Sequence, residues 1–285
     1  MKVNEEWNDF EVVATGGGEK LERWGDVYLL RPDPQVIWPP RSNLSKHNML
    51  NAHYIRHTTG GGEWKIKTSM PAEWRVAWRD LKFIVKPMGF KHTGLFPEQA
   101  YNWAEMIDLI KQANRPIKVL NLFAYTGGAT VACASAGAVV TQVDAAKGMV
   151  ERAKQNIAIS GLQDCKTRFI VDDCKKFVER EIRRGNKYDA IIMDPPSYGR
   201  GPGGELWKLE DSLFDFVFLC KKVLSDNPLF VLINSYTTGL QPGVLKNISK
   251  LVFNDKTPDV DAYEIGLKTS EGIVLPCGCS CLTKF

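Results

Sequence analysis

The sequence predicts a mixed α/β fold, with a mostly parallel sheet covered by helices and a small β-rich unit ahead of it. Three observations carry this. From about residue 97, apolar strand candidates alternate with helical stripes. The strand ends carry glycine or aspartate. The first 90 residues show period-two patterning and Pro/Gly breaks instead. The expected organisation is therefore a β-rich unit at 1–90 and a larger α/β unit at 91–285.

In the first unit, Phe10–Ala14 and Asp26–Leu30 are strand candidates, with Gly16-Gly17-Gly18 as a turn between them. Pro32, Pro34, Pro39 and Pro40 then break regular structure. Residues 41–62 are polar, end in Gly60-Gly61-Gly62 and read as a long loop. Trp74, Val76 and Trp78 fall at alternate positions, as do Leu81, Phe83 and Val85. This predicts two half-buried strands joined near Arg79-Asp80.

In the second unit, Pro97 suits a first helical position, and Ala100, Trp103, Ala104, Ile107 and Ile110 form a helical stripe. Strands are expected at 117–123, 138–143, 167–171, 188–193 and 229–234. Helices are expected at about 128–136, 147–159, 174–184, 208–224 and 241–253, with Gly137 and Gly161 where C-terminal caps fall. A final pair of strands is expected at 260–267 and 272–284.

Composition excludes several classes. A hydrophobic content of 44% and a charged content of 25% are ordinary for a globular protein. No apolar run approaches the roughly 18 residues of a membrane span. The first residues, with Glu5, Glu6 and Asp9, do not resemble a secretory signal. Seven cysteines without a regular framework suit a reducing cytosol, so a cytoplasmic location is expected.

The net charge is +4, but residues 41–91 hold ten Lys or Arg against three acids, a net +7, which leaves −3 for the remainder. Trp64, Trp74 and Trp78 lie among these charges. Basic residues neutralise phosphates and aromatic faces stack on unpaired bases. The plainer reading is a solvated β surface with core tryptophans.

In an open parallel sheet, ligands sit beyond the carboxyl ends of the strands. Here the first tip is Phe123–Gly128, the second carries Asp144, the third Asp172-Asp173-Cys174 and the fourth Asp194. An acid about 20 residues after a glycine turn is placed to accept ribose hydroxyls, and Asp144 lies 17 residues after Gly127. A third-tip acid can accept from an adenine amino group. For any one aspartate, helix N-capping is the competing explanation. The spacing G-x-G-x-x-G of dinucleotide sites is absent.

Residues from about 91 onward resemble the class I S-adenosylmethionine-dependent methyltransferases, and more narrowly the ribosomal-RNA large-subunit methyltransferase group. The resemblance rests on Asn121-Leu122-Phe123-Ala124-Tyr125-Thr126-Gly127-Gly128, on Asp194-Pro195-Pro196-Ser197-Tyr198, and on Thr93-Gly94-Leu95-Phe96-Pro97-Glu98-Gln99. It implies a Rossmann-like class I methyltransferase sheet, mostly parallel with its last strand pair antiparallel. It also implies S-adenosylmethionine as cofactor and methylation within rRNA processing.

Position by position, it implies that Phe123, Ala124, Tyr125, Thr126 and Gly127 line the methionine part of the cofactor. Asp144 would hold the ribose, and Asp173 with the Cys174 backbone the adenine. Thr93, Phe96 and Glu98 would close over the cofactor. Asp194 would meet both cofactor and acceptor, with Pro195 and Pro196 at the methyl group and Tyr198 stacking on the target.

Members of this group that methylate carbon 5 of cytosine use a cysteine after the fourth or fifth strand. This chain has Ser197 in the first place and Asn234-Ser235-Tyr236-Thr237-Thr238-Gly239 in the second. Neither holds cysteine, which shifts the expected acceptor toward an amino group. Cys277, Cys279 and Cys281 read as small buried residues of the last strand, with no metal site expected. Gly199–Gly204 reads as a loop over the site, with Arg200 set to meet a phosphate. Other readings are a methyltransferase of a small molecule or protein, and a nucleotide-binding oxidoreductase or inactive binding domain. The oligomeric state is open.

Overall fold

Period-two alternation builds the first unit. The computed structural model describes residues 1–58, 60–200 and 206–285. Its first compact unit comprises Met1–Ala100 with Gly266–Cys277, so the boundary expected at residue 90 falls inside it. After β1 (Lys2–Val3) come β2 (Phe10–Gly16), β3 (Glu19–Trp24), β4 (Val27–Pro32), β5 (Leu50–Arg56) and β6 (Gly62–Ile66). The last five form a sheet in the order β2-β3-β4-β5-β6, antiparallel except for the parallel β4/β5 pair. Then β7 (Trp74–Trp78) and β8 (Leu81–Val85) form a hairpin. Its turn is Arg79-Asp80 as expected, with Arg79 at φ 50°.

Four strands of this unit, β1, β3, β5 and β6, lie outside the sequence reading. The glycine turn leads into β3, and β5 lies inside the stretch read as loop. β3 is masked by its charges: Glu19, Lys20, Glu22 and Arg23 look like a solvated stretch. The structure instead buries Glu22 completely and clamps it with Arg31 of β4 through bonds of 2.6 and 2.7 Å. Lys20 adds a contact of 3.3 Å, and the Trp24 indole donates at 3.1 Å. In β5, Leu50, Ala52 and Tyr54 are buried at alternate positions between polar neighbours. Leu21, Leu30, Leu44 and Leu50 pack together.

The Glu22 carboxyl is opposed by burial, yet Arg31 and Lys20 outweigh it and pull its pKa down to about 2 from the ordinary 4.5. A depressed carboxylate stabilises above its unfolded pKa and loses that contribution as pH falls through the folded one. Glu22→Gln therefore leaves Arg31 buried without a counter-charge and is expected to destabilise this unit by about 3–5 kcal/mol at pH 7. Denaturant unfolding at pH 7 and near pH 3 tests this. The gap between wild type and variant should narrow between pH 4.5 and 2.

Continuous apolar runs build the second unit, Tyr101–Ile265 with Gly278–Phe285. Its elements are α1 (Ala100–Gln112), β9 (Lys118–Leu122), α2 (Gly128–Ser135), β10 (Val139–Asp144), α3 (Lys147–Ile159), β11 (Thr167–Val171), α4 (Cys174–Arg183) and β12 (Ala190–Met193). They continue with β13 (Tyr198–Arg200), β14 (Leu206–Lys208), α5 (Leu209–Lys221), β15 (Phe230–Ser235), α6 (Pro242–Val252), β16 (Asp259–Lys268) and β17 (Val274–Lys284). The strands are ordered β16-β17-β15-β12-β9-β10-β11. From β15 to β11 they run parallel, and β17 is antiparallel to β15.

Residues 190–193 and 230–235 are buried throughout, as strands covered on both faces require. The core spans Leu120, Leu122, Val143, Phe177, Ile191, Val217 and Ile233. No helix of the described residues is long and apolar enough to cross a membrane.

Candidate active site at the strand tips

The strand order sets the place of the site. The chain runs from β9 outward to β10 and β11, then returns to β12 on the other side of β9. A crevice therefore opens beyond the carboxyl ends of β9 and β12, where the winding reverses. The two glycine- and proline-bearing tips flank that point, and the Asp194 N–H donates to Leu122 O across it (3.4 Å).

The β9 tip doubles back on itself. Phe123 (φ 54°), Tyr125 (φ 50°) and Gly127 (φ 82°) are all left-handed. A non-glycine residue there costs about 1–3 kcal/mol and persists only where its surroundings over-determine it. They do so here. Phe123 N–H donates to Cys174 Sγ (3.2 Å), Ala124 N–H to Val143 O (3.1 Å) and Tyr125 N–H to Asp144 Oδ2 (2.8 Å). From behind, the buried amides of Asn156 and Gln142 donate to Thr126 O (2.9 Å) and Tyr125 O (3.2 Å). A Cβ on Gly127 would stand 2.7 Å from Ala153 Cβ, so the loop packs directly on α3.

Asp144 ties the first two tips together. One carboxylate oxygen accepts Tyr125 N–H and the other Ala146 N–H, both at 2.8 Å. Each oxygen still has a lone pair for a further donor. The third tip joins through Asp172 N–H, which donates to Asp144 O (3.1 Å). Its side chains are already employed: Asp172 pairs with Arg180, and Asp173 caps α4 by accepting Lys176 N–H (2.9 Å). Helix capping, the competing explanation, thus accounts for one Asp173 oxygen. Cys174 is buried, and burial pushes its thiol pKa well up, so it acts here as a neutral packing and hydrogen-bonding group.

At the fourth tip, Pro195 is buried and Tyr198 is 56% exposed. Tyr198 opens the β13/β14 hairpin, opposite Lys208. Trp207 of that hairpin donates to Pro196 O (2.6 Å) and forms an aromatic cluster with Phe123 and Phe216, ring centroids 5.5–5.6 Å apart. Trp207 was not among the expected site residues. A lone tryptophan just ahead of a helix carries no spacing signal. Asp173, Trp207 and Phe216 also line a cleft of about 610 Å³ between α4 and α5. The expected loop at 199–204 lies mostly outside the described residues, at 201–204.

Thr93, Phe96 and Glu98 belong to the first unit. Thr93 and Glu98 are buried there, and Phe96 meets His92 edge-on (5.8 Å). The three tryptophans read as stacking platforms are internally engaged: Trp64 donates to Met88 O, Trp74 to Trp24 O and the fully buried Trp78 to Asn4 Oδ1. For Trp78 the plainer core reading holds.

The tips suit the cofactor that the resemblance implies. A half-buried carboxylate with spare lone pairs stands beside a doubled-back loop, which matches a ribose diol joined to an amino-acid tail. Comparison with known proteins points the same way. A family model described as S-adenosylmethionine-dependent methyltransferase matches residues 41–206. A ribosomal RNA large subunit methyltransferase K/L from Shewanella frigidimarina is 33% identical over 215 residues, covering 75% of this chain and 28% of that protein. A ribosomal RNA large subunit methyltransferase I from Klebsiella pneumoniae is 32% identical over 129 residues, 45% of this chain and 31% of that protein. The chain thus spans less than a third of the length of these curated relatives. A crystal structure of a SAM-dependent methyltransferase from Agrobacterium tumefaciens is 32% identical and matches with a TM-score of 0.92, over 99% of this chain and 92% of that one.

Proposed function

Because the chain belongs to the S-adenosylmethionine-dependent methyltransferase family, we propose that it methylates a nucleobase of ribosomal RNA in the cytoplasm, without a cysteine nucleophile. The observation that carries this is the junction of tips: a strained loop and a ribose-competent acid on one side of the crevice, and Asp194-Pro195-Pro196 on the other. Membership of this family removes the oxidoreductase reading.

When bound, S-adenosylmethionine supplies an electrophilic methyl carbon on a sulfonium. The chain's own residues bind, orient and exclude water. Asp144 accepts the ribose hydroxyls, and the Phe123–Gly127 loop holds the methionine end. Asp173 and the Cys174 backbone hold the adenine. The Phe123, Trp207 and Phe216 rings keep water from this side.

On the acceptor side, the Asp194 carboxylate accepts an N–H of an exocyclic amine and turns the nitrogen lone pair toward the methyl carbon. The methyl carbon would exchange its S–C bond for an N–C bond, leaving a neutral thioether, and Asp194 would receive the proton the nitrogen loses. Pro196 O already accepts from Trp207, which leaves the Pro195 carbonyl as the freer second acceptor for the amine. Tyr198, exposed at the lip, stacks on the base once it has left its own stack, a step costing a few kcal/mol.

Radiolabelled cofactor incubated with total cellular RNA, protein and metabolite fractions tests the substrate class. Label in RNA, recovered as a methylated nucleoside, is the expected result. Label confined to protein or metabolites would overturn the RNA reading.

The basic segment makes a sharper prediction. Lys65 and Arg75 are exposed, whereas Arg79 is held by Glu6 (2.7 Å) and Lys67 donates to Ser45 O. Reversing Lys65 and Arg75 together is expected to weaken RNA binding about tenfold at low salt, and to reduce the slope of log affinity against log salt by about 2. Electrophoretic mobility shift across a salt series reads both.

A further inference from the structure

Ser197 and the stretch Asn234–Gly239, where the resemblance implies a cysteine in cytosine-C5 enzymes, are joined in this chain. Ser197 follows the fourth strand and Thr237 the fifth, 40 residues apart, and their hydroxyls are hydrogen-bonded at 2.6 Å. Both are held from their own loops. Ser197 O accepts Leu209 N–H (3.0 Å), and Thr237 N–H donates to the buried Ser235 Oγ (3.2 Å). Ser197 is exposed and Thr237 half-buried, so the pair faces outward, three residues beyond Asp194.

We propose that Ser197 and Thr237 form a positioning pair that reads the hydrogen-bonding edge of the acceptor. The proposal rests on the methyltransferase reading above and adds residues and an acceptor chemistry to it. Two hydroxyls together offer two hydrogens and four lone pairs. Their mutual bond uses one of each kind, leaving one donor and three acceptor positions side by side. That mixed array matches the edge of a nucleobase, where donors and acceptors alternate. A phosphate or carboxylate, which only accepts, would use a single hydrogen of it.

The pair is not a nucleophile. A hydroxyl needs a neighbouring base to attack. Among the described residues the bond each hydroxyl makes is to the other, at 2.6 Å, and a hydroxyl is not a base. The bond therefore joins the fourth and fifth tips into one rigid lip without activating either oxygen.

The test uses the full chain and whichever cellular fraction (RNA, protein or metabolites) the wild type labels, so a wrong acceptor class and a wrong role for the pair give different outcomes. Ser197→Ala and Thr237→Val are each expected to lower kcat/KM about tenfold, and the double variant to be little worse than either single one, because the two act as a unit. The dissociation constant for S-adenosylhomocysteine and the Tm should stay close to wild type in all three. Thr237→Ser should keep most of the activity, since it retains the hydroxyl. Single variants within twofold of wild type would overturn the proposal. So would losses that multiply in the double variant, or a parallel loss of S-adenosylhomocysteine affinity, which would mark the pair as structural support for the cofactor loop.

Discussion

Asp194→Ala is expected to lower kcat by at least about 10³-fold while S-adenosylhomocysteine binds within a few-fold of wild type. The carboxylate is the one acidic side chain at the β12 tip, half-buried, on a backbone fixed by Leu122 O on one side and buried Pro195 on the other. Prolines restrict their own φ and that of the residue before them. The backbone that carries the acid is therefore fixed before any acceptor arrives, and pre-set geometry is where orientation contributes most to rate. Removing it takes away both the group that orients the amine and the one that receives its proton, typically worth about 10²–10⁴-fold. Asp194→Asn keeps an oxygen acceptor but cannot take the proton, so its loss should be large yet smaller than that of alanine. Single-turnover transfer from labelled cofactor, with calorimetry of S-adenosylhomocysteine binding, separates the two effects. Turnover near wild type in Asp194→Ala would remove this residue from the mechanism.

What sequence patterning reveals here follows from whether a residue's environment is local. The parallel strands are legible because burial on both faces demands largely apolar runs: Ala190–Met193 is unbroken, and Val119–Leu122 is interrupted only by Asn121. The tips are legible because a glycine turn and three acids recur together at successive strand ends, a combination that capping alone does not require. β3 is not, since its buried Glu22 is neutralised by Arg31 of another strand, and a pairing of that kind leaves no local trace. Asp173 is only half legible: capping and base recognition ask for the same residue in the same place, and the structure shows the cap in force. Trp207 and the Ser197–Thr237 bond are invisible for a third reason. Both arise where segments distant in sequence meet, Trp207 on Phe123 and Ser197 on Thr237. In the basic segment the spacing shows the charges but not that all three tryptophans spend their N–H groups within the first unit, with only Trp78 fully buried.

Asp144→Ala should raise the dissociation constant for S-adenosylhomocysteine about 100-fold, the largest effect expected at the cofactor end. Two losses combine. The first is direct: hydrogen bonds from the ribose to a charged acceptor are worth about 1.5–3 kcal/mol. The second runs through the loop. Asp144 Oδ2 is the partner that the Tyr125 N–H finds in the left-handed conformation, at φ 50°. Without it, Tyr125 has less reason to stay there, and the doubled-back turn between Phe123 and Gly127 loses one of its outer ties. The inner ties from Asn156 and Gln142 remain, so the fold should survive and the Tm should fall little. Asp144→Asn discriminates between the two losses. Its oxygen can still accept from Tyr125 or Ala146, but its NH₂ must face the other N–H, donor against donor. If the loop matters, asparagine binds almost as poorly as alanine. If only the ribose contact matters, asparagine recovers much of the affinity. Calorimetry with S-adenosylhomocysteine on both variants decides between them, and unchanged affinity in the alanine variant would dissolve the link between the first and second tips on which the cofactor assignment stands.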